Sequence, residues 1–567
     1  MNQFIKAKIL GNKWLITILI LAAVLRLWNL GSVPLHLTND EAALGYNAYS
    51  ILKTGRDEHG EFLPIIFKSF SDWKPGLYVY AAVPSVAVFG LNEFAARLPG
   101  AISGIIAVWL IYLVVGELFR EKNQLKIENY KLKILASFLL AISPWHIHFS
   151  RGAWEAGMSL TLTLIGIYFF LRAIRDRPNW LLFSALFFGT TLITYQGAKL
   201  ATGLVILGLV VFWSRKLFTV SKKILVGSVV AFILVSLPVL LSIGTEKTGR
   251  LEVFSVFSGP RPEEIVSHIL GQGNETKESL TYILFHNEIL HFKRGILGRW
   301  MNHYSPRFLF FEGDWVHLNL SVPRAGVLLF IDIVFLVAGT IFLARMKISP
   351  AILFIGYWLL VAPLPAALSR DTLHAIRSLN LVIPLTIVLG AGALFLWHWV
   401  RSLKWSKFAV FLFSVLYSLN FLYFIDQYFV HMNAHNAKSW QYGYKQIVEK
   451  ITPLQKSYEK IVITQSYDQP YIYFLFYQKY NPSLYQKNVK LVEGPAGKLD
   501  AWLVPQLDNI SFEFLDWHRD RGRKGVLFVG TIEQIPIEDS NNPDQFKLVD
   551  EIKYPNGQTA FRLVEVL

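Results

Sequence analysis

The chain has 567 residues, 53% apolar, 15% aromatic and 17% charged, a balance that excludes both a disordered polymer and an ordinary soluble enzyme, which carries roughly 25% charge. With a mean hydropathy of +0.39 it needs repeated membrane spans, and the absence of cysteine removes disulfides, thiolate metal sites and cysteine nucleophiles. A net charge of +15 then belongs to cytoplasmic loops, with no nucleic-acid partner expected.

In chain order, apolar runs predict eleven spans: 13–30, 97–119, 133–149, 156–172, 179–195, 199–214, 224–243, 325–343, 350–368, 379–400 and 406–425. Basic residues orient them. Lys6, Lys8 and Lys13, the loop 120–132 with Arg120, Lys122, Lys126 and Lys131, and clusters near 175, 216, 346 and 404 all fall on one side if every span crosses. The short segment 76–90, which contains Pro84, breaks that count and reads as a re-entrant or juxtamembrane element on the outer side. The alternative is that it spans and places 120–132 outside.

The N-terminus is then cytoplasmic in a cell membrane, and the first span is not a cleaved signal peptide. The stretches 31–75, 150–155, 244–324 and 369–378 face outward, as does everything after 425. Residues 426–567 alternate helix-like stretches (440–453, 469–479) with β-like runs (460–465, 525–531, 561–566). The expected fold is a polytopic α-helical membrane protein with about eleven transmembrane helices over 1–425, followed by a soluble extracytoplasmic α/β domain over 426–567.

The first outer loop is the richest in chemistry. Asp40 and Glu41 open a helix-like segment, 40–53, with Ala43, Leu44, Ala48, Ile51 and Leu52 along an apolar side. The plainer alternative is that Thr38, Asn39 or Asp40 caps this helix and Glu41 answers its dipole. Lys74 stands where the chain returns to the membrane, and Arg97 begins the next span; Lys74 reads equally as an interfacial lysine that snorkels. The short second loop holds His146, His148, Arg151 and Glu155, and polar groups at a membrane edge are functional candidates unless Arg151 and Glu155 simply pair at helical spacing. The stretch SRDTLHAIRSL at 369–379 carries Arg370, Asp371, His374 and Arg377, which suit a phosphate or form a solvated loop with a local ion pair. Lys199 lies in another short outer link. The loop 244–324 adds His303, Arg307, Asp314 and His317, and its mixed composition ranks none of them.

Acids (Asp40, Glu155) and cations (Lys74, Arg97, Arg151, Lys199, Arg370, Arg377) thus gather at one membrane face. A carboxylate base and a cationic pocket fit sugar transfer from a polyprenyl phosphate. The acceptor hydroxyl or amine gives its proton to the carboxylate as it attacks the anomeric carbon, and the departing phosphate needs only positive charge. A transporter or flippase of lipid-linked saccharides is the alternative, but it would place charges near the midplane and show inverted repeats. A receptor built on the C-terminal domain leaves both charged loops unexplained.

Four fragments in order, LTNDEAALGYNAYSILKTGRDEHGEFLP, WKPGLYVY, NEFAARLPGAISG and SPWHIHFSR, resemble the polytopic glycosyltransferases of the GT-C fold, among them the protein O-mannosyltransferases and the lipid A aminoarabinose transferase. The resemblance covers residues 10–200, weakens toward 425 and does not reach the C-terminal domain. It implies a lipid-phosphate sugar donor, inversion and an active site on the outer face. It places the catalytic base on Asp40 with Glu41 adjacent, the re-entry lysine on Lys74 and a second acid on Glu155. Arg97, Arg151, Lys199, Arg370, His374 and Arg377 are the further candidates for the donor phosphate. Some relatives hold a divalent metal with acids of these two loops, which here implies Mg or Mn on Asp40 and Glu155; no other cofactor is expected. Trp73 departs from the aminoarabinose transferase pattern, where an acid stands, so the donor sugar is not carried over. The acceptor (protein, lipid or cell-surface glycan) stays open.

Overall fold

A computed structural model describes residues 2–70, 72–120, 129–243, 245, 262–467, 469–493, 502–540 and 542–567. Lys122 and Lys126 of the basic loop, and part of the 244–324 stretch, lie outside them. The chain forms two compact units. The first comprises Met1–Leu25, Ser103–Phe149 and Ala156–Phe424, and the second Arg26–Ile102, Ser150–Glu155 and Ile425–Leu567.

Helices dominate the first unit because a backbone in hydrocarbon must satisfy its own hydrogen bonds. Among the described residues, six helices are long and apolar enough to cross a membrane: Glu93–Leu118, Glu155–Ala173, Lys222–Ser242, Pro350–Ala367, Leu379–Arg401 and Ser406–His435. A seventh span is possible by length if Asn129–Ile142 and Pro144–Ser150, bent by 59°, act as one. All eleven expected segments are helical, so the polytopic architecture stands. Three of them, however, shrink to Trp180–Leu192, Ala198–Phe212 and Asp332–Ala344, and the first falls on α1 (Asn2–Leu27). The helices at 332–344 and 379–401 meet backbone to backbone. A Cβ on Gly392 would lie 1.9 Å from the Phe335 carbonyl oxygen, and one on Gly339 would lie 2.0 Å from that of Val388. Small residues at such crossings are how membrane helices approach closely.

The second unit begins with α2 (Asn39–Thr54). Thr38 caps it through the N–H of Glu41, Glu41 reaches back to the N–H of Thr38, and Gly55 ends it at φ +68° with its N–H on the Ile51 carbonyl. A hairpin follows, β1 (Ile66–Ser69) against β2 (Asp72–Pro75), pairing Phe67 with Lys74. Next is α3 (Leu77–Phe89), 13 residues long. At 1.5 Å per residue it reaches only about 20 Å, short of the roughly 30 Å of hydrocarbon.

The C-terminal segment of this unit carries β3 (Lys460–Thr464), the short pair β4 (Val492–Glu493) and β5 (Trp502–Leu503), then β6 (Gln506–Leu507), β7 (Ile510–Glu513), β8 (Val526–Thr531), β9 (Phe546–Lys553) and β10 (Thr559–Val566). The main sheet is mixed, in order β6-β7-β3-β8-β10-β9, with β3 parallel to both β7 and β8. Val462, Phe528, Val564, Trp517 and Phe546 fill one core beneath it. The helix Tyr471–Tyr477 packs on α2, where a Cβ on Gly45 would come within 2.6 Å of the Phe476 ring. Gln486 Nε2 also donates to Ser50 Oγ (3.1 Å) and the Asp57 carbonyl (2.8 Å). The first loop and the C-terminal segment therefore share one packed body. Gly45→Val is expected to overpack this contact and lower stability by about 1–3 kcal/mol, read as a lower Tm of the purified chain.

Candidate active site

Glu41 and Arg97 form a buried ion pair, neither side chain exposed. Arg97 Nε donates to Glu41 Oε1 at 2.9 Å and Nη2 to Oε2 at 3.3 Å. Its remaining N–H groups reach the carbonyls of Leu30 (3.2 Å), Pro34 (2.7 Å) and His36 (2.7 Å). That uses all five donors of a guanidinium. Glu41 also accepts the N–H of Thr38 (3.0 Å) and of Ala153 (2.9 Å), which fills its lone pairs. These two residues, expected from the sequence as a catalytic acid and a phosphate ligand, thus have no capacity left for substrate. They position the loops instead. The pair fixes the start of α2, the turn at 30–36 and the link 150–155 around one point.

Asp40, one residue earlier, points elsewhere. Its side chain is 47% exposed and forms an ion pair with Lys74, itself only 19% exposed. Burial alone would lower the Lys74 pKa, but Asp40, then Glu155 and Asp72, offset this and hold it above the usual lysine value. Lys74 also lies 5.5 Å over the Phe70 ring, on the hairpin that carries it. Glu155, half-buried at the start of its helix, contributes to the same field because the Glu41–Ala153 bond brings its segment to α2.

The resident ammonium bears on metal binding. A divalent ion shared by Asp40 and Glu155 would have to displace the Lys74 charge from Asp40. The donor set present is one acid engaged by a cation, with Glu155 and Asp72 in the same field, and with the Lys74 charge seated on Asp40 it does not fit such an ion.

The C-terminal segment supplies groups that the sequence did not single out. Gln441 Oε1 accepts the N–H of Asn39 (2.8 Å), next to Asp40, and lies 2.6 Å from the Tyr473 hydroxyl. His36 Nδ1 donates to the Leu37 carbonyl (2.6 Å), so its Nε2 accepts the N–H of Lys445 (3.1 Å). Burial holds His36 down to about 4. Arg151 is buried, with Nη2 on the carbonyls of Asn29 (3.3 Å) and Val33 (2.9 Å) and its guanidinium 4.8 Å from the Phe429 ring centre.

The other cationic candidates belong to the first unit. Lys199 is half-buried at the start of its helix, and Arg370 is exposed. Arg377 pairs with Asp371 at 2.6 Å, the local ion pair that was the plainer reading of that stretch. His374 is buried beside them, and three unranked residues of the long loop, His303, Asp314 and His317, converge there.

Residues 74–241 match the family model described as dolichyl-phosphate-mannose-protein mannosyltransferase, a stretch that includes Lys74, Arg97, Arg151, Glu155 and Lys199. No curated protein sequence matches the chain. Its structure is similar to that of ArnT from Cupriavidus metallidurans in the apo state, with a TM-score of 0.51 and 13% identity, covering 98% of this chain and 97% of that one. The same protein bound to undecaprenyl phosphate gives a TM-score of 0.52 at 13% identity, over 97% and 98% of the two chains. An oligosaccharyltransferase from Archaeoglobus fulgidus follows at a TM-score of 0.48 and 12% identity, covering 82% of this chain and 63% of that one. Fold and matched segment together make the chain a membrane glycosyltransferase of the GT-C fold.

Two outcomes separate positioning from chemistry. Glu41→Ala strands the buried Arg97 and is expected to cost about 3–5 kcal/mol, whereas Asp40→Asn, at an exposed site, should stay within about 0.5 kcal/mol; denaturant or thermal unfolding reads both. His36 gives a pH dependence. The unfolded chain takes up a proton near 6.5 that the folded chain refuses until about 4, so stability falls as pH drops through that window, by on the order of 3 kcal/mol. Tm measured against pH should show this acid limb, and His36→Gln should flatten it.

Proposed function

We propose that the chain transfers a sugar from a polyprenyl-phosphate donor to an acceptor on the outer face of a cell membrane, with inversion, and that Asp40 is the base. The N-terminus is cytoplasmic in this reading, and the site and the 426–567 segment are extracytoplasmic. The observation that carries it is the Asp40–Lys74 pair, an accessible carboxylate joined to a nearly buried ammonium on a rigid capped helix. The matched family's description and the relative solved with undecaprenyl phosphate support the donor class.

The acceptor hydroxyl or amine attacks the anomeric carbon from the face opposite the phosphate. Its proton passes to Asp40 as the new bond to carbon forms. The bond from carbon to the phosphate oxygen breaks, and the lipid phosphate leaves with the electron pair. Neutralising Asp40 releases Lys74 from its partner, so its charge becomes available to the departing phosphate at the moment that charge develops. Glu155 adds negative potential that keeps Lys74 protonated. No step needs a metal at Asp40.

Purified protein, membrane extract as acceptor source and a panel of polyprenyl-phosphate sugars test the reading through release of free polyprenyl phosphate. Wild type is expected to release it from at least one donor. Asp40→Asn is expected to lower kcat by roughly 10²–10⁴ with donor binding retained. Release that survives the substitution moves the base to Glu155. If no donor yields release and vesicle assays show the same lipids being flipped, the transporter reading replaces this one.

A further inference from the structure

A second polar cluster lies in the first unit, built from the long loop and from the stretch at 371–377. His317, Asp371 and His374 each present a ligand atom, and all of these lie within 4.8 Å of one another. Asp371 Oδ1 is 3.7 Å from His317 Nε2, and Oδ2 is 3.9 Å from His374 Nε2. Both separations are too long for hydrogen bonds. They are close to the roughly 3.4 Å that separates two ligands bonded at ~2.1 Å to one tetrahedral ion. His317 Nε2, the nitrogen that faces Asp371, is buried with no hydrogen-bond partner, and His374 as a whole is 8% exposed. Buried nitrogens left unmet are rare and call for a cause.

The arrangement is held from behind. Asp314, fully buried, accepts the N–H groups of Val316 (3.0 Å) and His317 (2.8 Å) on one oxygen and that of Ala375 (2.8 Å) on the other. One carboxylate thereby ties the His317 loop to the His374 segment. His303 Nδ1 donates to the Arg299 carbonyl (2.8 Å), which leaves Nε2 to accept the N–H of His374 (3.3 Å). Ser378 Oγ donates to the His374 carbonyl at 2.9 Å. Arg377 holds Asp371 Oδ2 at 2.6 Å and so turns Oδ1 toward His317. The two imidazole rings end with centres 4.8 Å apart.

We infer that His317, Asp371 and His374 bind a divalent transition-metal ion of the zinc type. Two imidazoles and a carboxylate oxygen are ligands that zinc and its neighbours accept, and three protein ligands leave a coordination position open to an oxygen donor. The supporting bonds from Asp314, His303 and Arg377 are the kind of outer-shell contacts that orient such ligands. This site is distinct in residues from the Asp40–Glu155 pair, and it stands or falls independently of the transfer reading because its readout is metal uptake.

The test uses the full-length, detergent-purified chain, stripped with a chelator and titrated with zinc alone by calorimetry, with metal content measured after desalting. One zinc per chain and a Tm that rises with zinc are expected. His317→Ala and Asp371→Asn should each weaken binding by more than the roughly 10–100-fold that loss of an outer-shell partner costs, and should abolish the Tm rise. His317, a third exposed, gives a variant expected to fold even if His374→Ala does not. Asp40→Asn with Glu155→Gln should leave zinc uptake intact. The inference is overturned if folded wild type takes up no zinc saturably. It is equally overturned if uptake survives His317→Ala or is lost in the Asp40/Glu155 double variant, which would mean the cluster is an Asp371–Arg377 ion pair flanked by two packed histidines.

Discussion

The buried Glu41–Arg97 pair is the interaction on which the site depends. Arg97 reaches three carbonyls of the 30–36 turn as well as Glu41, and Glu41 reaches the N–H groups of Thr38 and Ala153. Removing two charges from water is costly, and this pair compensates by meeting every donor and acceptor it has. Three stretches of chain far apart in sequence, 30–41, the helix at Arg97 and the link at Ala153, are thereby fixed to one point. With Glu41 locked inward, helical geometry turns its neighbour Asp40 toward an open direction, where Lys74 meets it.

Adjacent acids therefore have opposite roles. Glu41 is saturated and inaccessible. Asp40 is half-exposed and is paired with the Lys74 ammonium. The same division runs through the cations. Arg97 and Arg151 sit among backbone carbonyls, whereas Lys74, on β2 of the hairpin, faces carboxylates. A compact ammonium on a flexible stem can change partners during a reaction; a guanidinium with five satisfied donors cannot.

The C-terminal segment is more than an appendage to this arrangement. Gln441 holds the N–H beside Asp40, Tyr473 braces Gln441, and Lys445 reaches both His36 and Glu93. The helix at 471–477 buries its aromatic face on α2 at Gly45, where any side chain would collide. The orientation of α2 is set partly from residues four hundred positions away.

Much of this was legible in the sequence. Among the described residues, apolar runs located each of the six helices long and apolar enough to cross a membrane, because length and hydrophobicity are local properties. Short β-like apolar runs located β3, β8 and β10. The cap of α2 was present as an alternative in Thr38 and Glu41, and Asp40 and Lys74 stood out by their place at the loop ends. What the sequence could not decide is which polar groups are already satisfied. Glu41 and Arg97 lie 56 residues apart, and Glu41 and Ala153 lie 112 apart; composition treats all such charges alike. The convergence of His303, Asp314 and His317 on Asp371 and His374 was equally invisible, since no spacing rule links a loop of mixed composition to a segment sixty residues on. Local pattern determined the elements and the candidate chemistry. Burial and hydrogen-bond saturation, which exist only once distant segments meet, decided which polar groups are spent on holding the loops and which stay accessible.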